Sequence, residues 1–149
     1  MALTIAAHRV SDGMNKTVRV RQGVMDEILT AARGEPEQEV CGLLAGSGSL
    51  ISIAFPAHNA VRSSTAFEIA PQELFALFRR IRSANLEHLG IYHSHPRGDN
   101  APSPRDIASA FYPDATHFII SPQASAARPI RAFRIRDGEV SELTIETIP

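Results

Sequence analysis

The segment HSHPRGDNAPSPRD, from His93 to Asp106, constrains the fold more than any other part of the chain. It begins inside an apolar run that predicts a strand, and Pro96 ends that strand. Alternate residues of a strand point to the same face, so His93 and His95 direct both imidazoles to one side. Ser103 is a typical N-cap, and Asp106 falls in the first turn of the helix that it starts. The sequence therefore predicts a strand, a returning loop and a helix start that gather two histidines and an aspartate.

Two imidazoles and one carboxylate are a ligand set typical of catalytic zinc sites, because three protein ligands leave a fourth position for water. Each part also has an ordinary explanation. The pair formed by Ser103 and Asp106 fits a helix capping box, and H-x-H pairs occur in many chains without a metal. The two roles are compatible, since a capped helix start is a rigid mount for a ligand. The combined spacing H-x-H-P-x6-S-x2-D, with each element where it must fall, favours a metal site.

The rest of the chain predicts one α/β domain with a mixed β-sheet and flanking helices. Residues 71–84 form the clearest amphipathic helix, with apolar residues at i, i+3, i+4 and i+7. The other predicted helices span about 22–33 and 103–111. The predicted strands are 17–21, 40–46, 50–55, 89–95, 115–121, 129–135 and 139–146. We expect residues 1–16 to be loosely ordered and residues 17–149 to form the domain.

Composition excludes several classes of protein. A chain of 149 residues has the length of one domain. Its 16 acidic and 15 basic residues give a net charge of -1, which offers no electrostatic footprint for nucleic acid or an anionic membrane. No apolar run approaches the roughly 18 residues that a membrane helix needs. The single cysteine allows no intrachain disulfide, excludes a zinc site built on several thiolates, and predicts a cytoplasmic location.

Other candidate residues carry weaker signals. Cys41 could act as a thiol nucleophile beside a histidine, but it lies in an apolar strand, which favours a small buried hydrophobe. His58, His88 and His117 lack ligand spacing to any partner. Asn59 follows a predicted strand, and we expect it to help order the loop near the site.

The segment from residue 93 to residue 106 resembles the H-x-H-x7-S-x2-D signature of the JAMM (MPN-plus) metalloproteases. The family's upstream E-x-C/V-G element is matched here by residues 39–42, which read EVCG. The stretches GIYHSHP, YPDATHFIIS and RAFRI also look like the compact bacterial members of this family. The resemblance covers nearly the whole chain from about residue 17 onward, and residues 1–16 lie outside it.

The resemblance implies a role for each matching residue. His93, His95 and Asp106 would be the ligands of one zinc ion. Glu39 would be the general acid/base that holds the zinc-bound water, the nucleophile, and Ser103 would steady the oxyanion. These roles agree with the chemistry, since amide hydrolysis needs a proton acceptor outside the ligand set and a donor to the developing negative oxygen.

The glutamate of the upstream element has two neighbours of the same type, Glu35 and Glu37. Pro36 stands one residue further from Glu39 than the family pattern implies. The phase with Cys41 nevertheless favours Glu39, and a solvated acidic run fits the other two better.

The resemblance also implies a fold and a function. The fold would be a single three-layer domain of the JAMM/MPN, cytidine-deaminase-like type. The function would be that of a zinc peptidase or isopeptidase that hydrolyses an amide bond at the C-terminal tail of a small ubiquitin-like or sulfur-carrier protein. The alternative is a non-catalytic MPN-type module that only binds proteins, although such relatives have lost ligands that this sequence keeps. A zinc deaminase is excluded, because its P-C-x-x-C element needs more than one cysteine.

Overall fold

Ten elements follow one another along residues 16–149, the part of the chain that the computed structural model describes. The strands are β1 (Thr17–Arg21), β2 (Cys41–Ser47), β3 (Leu50–Ala57), β4 (Glu87–Ser94), β5 (Thr116–Ile120), β6 (Ile130–Arg136) and β7 (Glu139–Ile148). The helices are α1 (Gln22–Gly34), α2 (Pro71–Ser83) and α3 (Pro104–Ala108). The sequence predicts loose order for residues 1–16, and all of these except Lys16 lie outside the described range. In residues 16–149, no helix has both the length and the apolar character needed to cross a membrane.

The strands form one mixed sheet in the order β1-β3-β2-β4-β5-β6-β7. The pairs β1–β3, β4–β5 and β1–β7 are parallel, and the other pairs are antiparallel. The pairing of β1 with β7 closes the sheet on itself. The mixed sheet agrees with the sequence prediction. Its closure was not predicted, because the partner of an edge strand depends on long-range packing rather than on local pattern.

The two long helices cover opposite faces of the sheet, because its strands are apolar on both sides. Helix α1 buries Val24, Ile28 and Ala32 against residues that every strand contributes to one face. Helix α2 buries Leu77 and Ile81 on the other face. The second cluster is completed by Leu43, Ala45, Phe55 and Ile91. Helix, sheet and helix make three layers, and the predicted α/β fold class is confirmed.

The boundaries differ from the sequence prediction mainly around helix α3. The predicted helix 103–111 is helical only over Pro104–Ala108. The N–H of Ala110 donates to the carbonyl of Ile107 and that of Phe111 to the carbonyl of Ser109, three and two residues back instead of four, so the α-helical pattern stops at the C-cap Ser109. The capped start, which is the part that carries the candidate ligand, lies where the sequence placed it.

Gly42 generates a test of the packing beneath the candidate site. A Cβ atom at this position would lie 2.5 Å from Cε1 of Tyr92 and 2.6 Å from the backbone oxygen of Phe55. We expect Gly42→Ala to lower the free energy of unfolding by about 2 kcal/mol, as overpacked cores do. Gly23→Ala is the matched control, because no atom lies within 4 Å of its added Cβ and alanine favours helix α1. Urea unfolding midpoints measure both, and equal midpoints for the two variants would contradict this packing.

Candidate metal centre

The two histidines of the candidate site lie at the end of β4, between β2 and β5. The backbone N–H of Ser94 donates to the carbonyl of Val40 at 3.0 Å, and the N–H of Val40 donates to Oγ of Ser94 at 2.9 Å. On the other side, the N–H of His95 donates to the carbonyl of Ile120 at 2.8 Å. The chain around His93 and His95 is therefore held by both neighbouring strands, and their imidazoles keep the common face that the sequence predicted.

Helix α3 brings the aspartate to the histidines. The N–H of Asp106 donates to Oγ of Ser103 at 3.1 Å, and the N–H of Ser103 donates to Oδ2 of Asp106 at 2.9 Å, which is a complete capping box. The same carboxylate places Oδ1 3.2 Å from Nε2 of His93 and Oδ2 3.0 Å from Nε2 of His95. Asp106 is thus both a cap and a member of the cluster, as the sequence analysis allowed.

The donor atoms of this cluster suit a cation. Nδ1 of His95 lies 2.8 Å from the carbonyl oxygen of Asp99, which can only accept, so Nδ1 carries the proton. In neutral His95 the lone pair is then on Nε2, which lies 3.1 Å from Nε2 of His93 and 3.0 Å from the Asp106 carboxylate. One ligand atom from each of the three residues lies within 4.8 Å of the others. Electron-rich atoms that converge in this way need a shared proton or a metal ion, and imidazole nitrogen with carboxylate oxygen fits zinc.

The charge states of the three residues agree with this chemistry. Burial lowers the pKa of His93, which favours the neutral ring that a metal requires. Burial would raise the pKa of Asp106, but its hydrogen bonds with His93 and His95 outweigh burial and hold that pKa well below its usual range. Burial also opposes the charged form of His95, yet the bonds to Asp106 and Asp99 raise its pKa. The cluster therefore combines an ionised carboxylate with two imidazole rings that are hydrogen-bonded to it.

Glu39 lies next to this cluster. The antiparallel register pairs Cys41 with His93, and continuing it by two residues places Glu39 opposite His95. The backbone of Glu39 is fixed at both groups, because its N–H donates to the carbonyl of Ser63 at 2.7 Å and its carbonyl accepts from Nδ2 of Asn59 at 3.0 Å. Asn59 thus orders the site loop, as the sequence suggested.

The carboxyl group of Glu39 is buried and poorly solvated. The residue is 3% exposed, and its Oε1 atom has no hydrogen-bond partner within the described chain. Burial raises its pKa from 4.5 to about 7, while the charge of His95 acts in the opposite direction. A carboxyl with this pKa can accept and return a proton at neutral pH. Glu35 and Glu37 are exposed, which agrees with their interpretation as a solvated run.

The other candidates of the sequence analysis stand apart from the cluster. Cys41 is 1% exposed and burial raises its pKa to about 12, so it is the inert buried thiol that the sequence favoured. His58 is exposed and bonds to Glu73, and His88 bonds to the carbonyl of Gly90. Burial lowers the pKa of His117 to about 4. In residues 16–149, none of these three histidines joins a group able to hold a metal.

Two contacts were not anticipated from the sequence. The ring of Phe67 stacks on that of His93, with centroids 4.6 Å apart and planes inclined by 24°. The carbonyl of Asp99 orients His95. Nothing local in the sequence around Phe67 indicates what its ring contacts. Every residue has a backbone carbonyl, so the sequence does not indicate which one bonds to His95.

An apolar groove of about 330 Å³ adjoins the cluster. It lies between the segment 66–69, helix α2 and the end of helix α3. Its polar lining is Glu68, Arg105, Asp106 and Ser109. Its apolar lining is Leu43, Ala66, Phe67, Ile69, Leu74, Ile91, Phe111 and Tyr112. A groove that adjoins a candidate metal site has the shape to hold an extended chain beside that site.

Comparison with known proteins gives a consistent result. The family model described as prokaryotic homologs of the JAB domain matches residues 21–136. A desampylase of Haloferax volcanii is 33% identical over 75% of this chain and 83% of that protein. A probable TtuB-protein conjugate cleaving protease of Thermus thermophilus is 35% identical over 85% and 81%. A CysO-cysteine peptidase of Mycobacterium tuberculosis is 29% identical over 87% and 90%.

Solved structures share the fold. The solution structure of a Desulfitobacterium hafniense protein matches with a TM-score of 0.75 at 29% identity, over 88% of this chain and 92% of that one. A structure described as a JAMM metalloprotease-like zinc site in the proteasome and signalosome matches with a TM-score of 0.55 at 20% identity, over 87% and 98%. The second likeness shows the fold alone.

The cluster predicts stabilisation by zinc. An ion that binds only the folded state stabilises it by about 4 kcal/mol when present at 1,000 times its dissociation constant. We therefore expect added Zn²⁺ to raise the melting temperature of the chelator-treated protein, and His95→Ala to abolish this shift. His58→Ala is the control, because its side chain is 95% exposed and outside the cluster. Differential scanning calorimetry measures the shift, and an undiminished shift in His95→Ala would contradict the site.

Glu39 predicts a pH dependence of stability. Its folded pKa of about 7 exceeds the ordinary 4.5, so the stabilisation that this group contributes is complete below pH 4.5 and is lost as the pH rises through 7. In metal-free protein, we expect Glu39→Gln to gain stability relative to the wild type between pH 5 and pH 8, by up to about 3 kcal/mol.

The matched control for this measurement is Glu35→Gln, since Glu35 is exposed. Denaturant unfolding at a series of pH values measures the difference between each variant and the wild type. A difference for Glu39→Gln that does not change with pH would show that its carboxyl is not buried as described.

Proposed function

Because this chain belongs to the family of prokaryotic homologs of the JAB domain and is a JAMM-type peptidase, we propose that it uses zinc to cleave amide bonds at the C-terminal tail of ubiquitin-like or sulfur-carrier proteins. The relatives named desampylase, CysO-cysteine peptidase and TtuB-protein conjugate cleaving protease support this substrate class. The observation that carries the proposal is the convergence of His93, His95 and Asp106 beside the buried carboxyl of Glu39.

The proposed metal ligands are Nε2 of His93, Nε2 of His95 and the carboxylate of Asp106. A zinc ion with three protein ligands supplies a Lewis acid that polarises a carbonyl and lowers the pKa of water toward about 7. The carbonyl of Asp99 keeps the proton of His95 on Nδ1, so that Nε2 is available as a ligand. The ring of Phe67 restricts His93 to one orientation and excludes water from that side.

Glu39 is the proposed general acid/base. Its carboxylate accepts a proton from the attacking water and returns that proton to the nitrogen of the leaving amine, which lets the carbon–nitrogen bond break. A raised pKa suits both halves of this transfer, because the group then accepts and donates at nearly equal cost near neutral pH. The fixed backbone of Glu39 keeps the carboxyl in place during the exchange.

Ser103 is the proposed oxyanion donor. Its Oγ accepts a hydrogen bond from the N–H of Asp106, which leaves its own hydroxyl hydrogen free. That hydrogen can be donated to the oxygen that becomes negative as the amide carbon turns tetrahedral, an effect typically of about 3 kcal/mol per donor. The capping geometry therefore supports the role in catalysis rather than competing with it.

The apolar groove is the proposed binding site for the carrier tail. Segment 66–69 borders this groove outside the sheet, and the backbone groups of Phe67 and Ile69 make no hydrogen bond within the described chain. An extended tail could pair with these free groups as an added strand does. The complete donor set with Glu39 favours an enzyme over the non-catalytic binding module. The expected cytoplasmic location and the absence of nucleic-acid and membrane partners stay predictions.

The roles predict different losses in different variants. We expect Glu39→Gln to lower kcat/KM for a carrier–peptide fusion by about 10³-fold while zinc stays bound, since a general base contributes roughly 10² to 10⁴. His95→Ala should lose both zinc and activity. Glu35→Gln should match the wild type, because it removes a neighbouring exposed carboxylate.

Mass spectrometry gives both readouts, the zinc content of the native protein and the mass of the cleaved carrier. Retention of zinc with loss of turnover in Glu39→Gln separates the proton-transfer role from metal binding. Undiminished hydrolysis in both Glu39→Gln and His95→Ala would overturn the proposed function.

A further inference from the structure

A second cavity, of about 460 Å³, lies beyond the end of β4 and is rich in arginine. We name it the cationic pocket. Arg97, Arg128 and Arg131 line it together with the buried polar residues Asn100 and Ser121. Three guanidinium groups in one concave site are an arrangement suited to a carboxylate or another planar anion.

The cationic pocket is next to the candidate metal centre. Asp99 lines it, and the carbonyl of this same residue orients His95. In the sheet, His93 pairs with Ile119, which in turn pairs with Arg131. Paired residues point to the same face, so Arg131 lies on the face of His93 two strand spacings away, roughly 10 Å between Cα atoms.

The cationic pocket and the apolar groove lie on opposite sides of the metal centre. The groove adjoins β2 and helix α2, whereas the pocket adjoins β5, β6 and the loop after His95. A substrate with its tail in the groove and its scissile bond at the metal centre would direct the leaving residue toward the pocket. The groove therefore corresponds to the carrier tail, and the pocket corresponds to the leaving residue.

The pocket has a surplus of positive charge. Arg131 pairs with Glu142 at 2.8 Å and with Asp99 at 3.4 Å, and Arg128 pairs with the same Glu142 at 2.8 Å. Arg97 is exposed and has no acidic partner in residues 16–149. The three guanidinium groups thus have only two carboxylate partners, Asp99 and Glu142, which leaves one positive charge in excess.

A hydroxyl donor adds to the free guanidinium. Ser121 is only 4% exposed and lines the same pocket. Asn100 in the same wall is fixed, because its Nδ2 donates to the carbonyls of Arg128 and Ile119. The pocket therefore offers a guanidinium without an acidic partner in residues 16–149 and a serine hydroxyl, beside the fixed side chain of Asn100.

The remaining cavity at the site has the opposite character. It has a volume of about 480 Å³ and includes Glu39 in its lining. Its lining contains two carboxylates, those of Glu35 and Glu39, but only one guanidinium, that of Arg62. The exposed His58 also lines it. Two carboxylates disfavour an anion there, so an anionic part of the substrate fits the cationic pocket better.

We propose that the cationic pocket binds the free α-carboxylate of the residue that hydrolysis releases, so that the preferred substrate is a carrier protein extended by a single amino acid. This inference rests on the proposed function. Water adds to the carbonyl carbon of the last carrier residue, the carbon–nitrogen bond breaks, and the amine leaves with the proton that Glu39 returns. The products are a carrier carboxylate and a free amino acid. A lysine joined through its side chain within a protein has no carboxylate at this place.

The test compares two substrates that differ only in this charge. CysO, the carrier in the name of the mycobacterial relative, is prepared with one added C-terminal cysteine, either as the free acid or as the primary amide. For the zinc-loaded protein, we expect kcat/KM to be about 10- to 100-fold higher for the acid, the range of a charge-assisted hydrogen bond. Arg97→Gln should reduce this preference to nearly one, and Arg97→Lys should restore part of it. Arg82→Gln, an exposed arginine of helix α2, should leave it unchanged.

A binding measurement accompanies the kinetics. The inactive Glu39→Gln variant should bind the acid form more tightly than the amide by a similar factor, as measured by calorimetry. Equal rates for acid and amide would overturn the carboxylate site and leave the proposed function intact. A preference that persists in Arg97→Gln would overturn the role of Arg97. Cleavage of neither form, with no binding to Glu39→Gln, would overturn the proposed function together with the inference.

Discussion

The antiparallel ladder between β2 and β4 is the constraint on which the site depends. It pairs Cys41 with His93, and the bonds between Val40 and Ser94 extend the pairing beyond the end of the strands. A shift of one residue would turn every side chain to the other face of the sheet and separate Glu39 from the histidines. The apolar residues that flank these polar groups on both faces fix that register. The packing of the core thus fixes the positions of Glu39 and the two histidines relative to one another.

Buried polar groups at the site lower the stability of the folded chain, and their presence in the interior distinguishes the site from the rest of the core. The carboxyl of Glu39 is buried with an unbonded oxygen, and the lone pairs of the cluster formed by His93, His95 and Asp106 converge on one point. Buried polar groups are normally hydrogen-bonded or paired, so a buried unbonded carboxyl oxygen beside three converging donor atoms marks this place as a candidate functional site. A divalent cation would take the place of the protons that these three side chains otherwise share. Natural proteins keep such local conflicts where function requires them.

Much of this structure could be predicted from local sequence patterns. The strand, loop and capped helix between His93 and Asp106 follow from a strand that a proline ends and from an N-cap serine, so both histidines and the aspartate were assigned together. The family resemblance, through the position of Cys41 in the E-x-C/V-G element, selected Glu39 from three nearby glutamates. What local pattern does not encode is long-range. The closure of the sheet, the stacking of Phe67 and the carbonyl of Asp99 depend on segments that meet only after folding. The cationic pocket belongs to this second group, because its arginines come from separate loops and strands.

Zinc K-edge X-ray absorption of the loaded protein tests the central arrangement most directly, because it reports the ligands of the ion itself. The structure predicts two imidazole nitrogens with oxygen ligands at about 2.0 Å, since the site offers two histidines and one carboxylate and leaves a position for solvent. Removing either histidine should delete one imidazole from the spectrum. A spectrum with sulfur at about 2.3 Å, or with no imidazole scattering, would contradict a metal centre formed by these three residues.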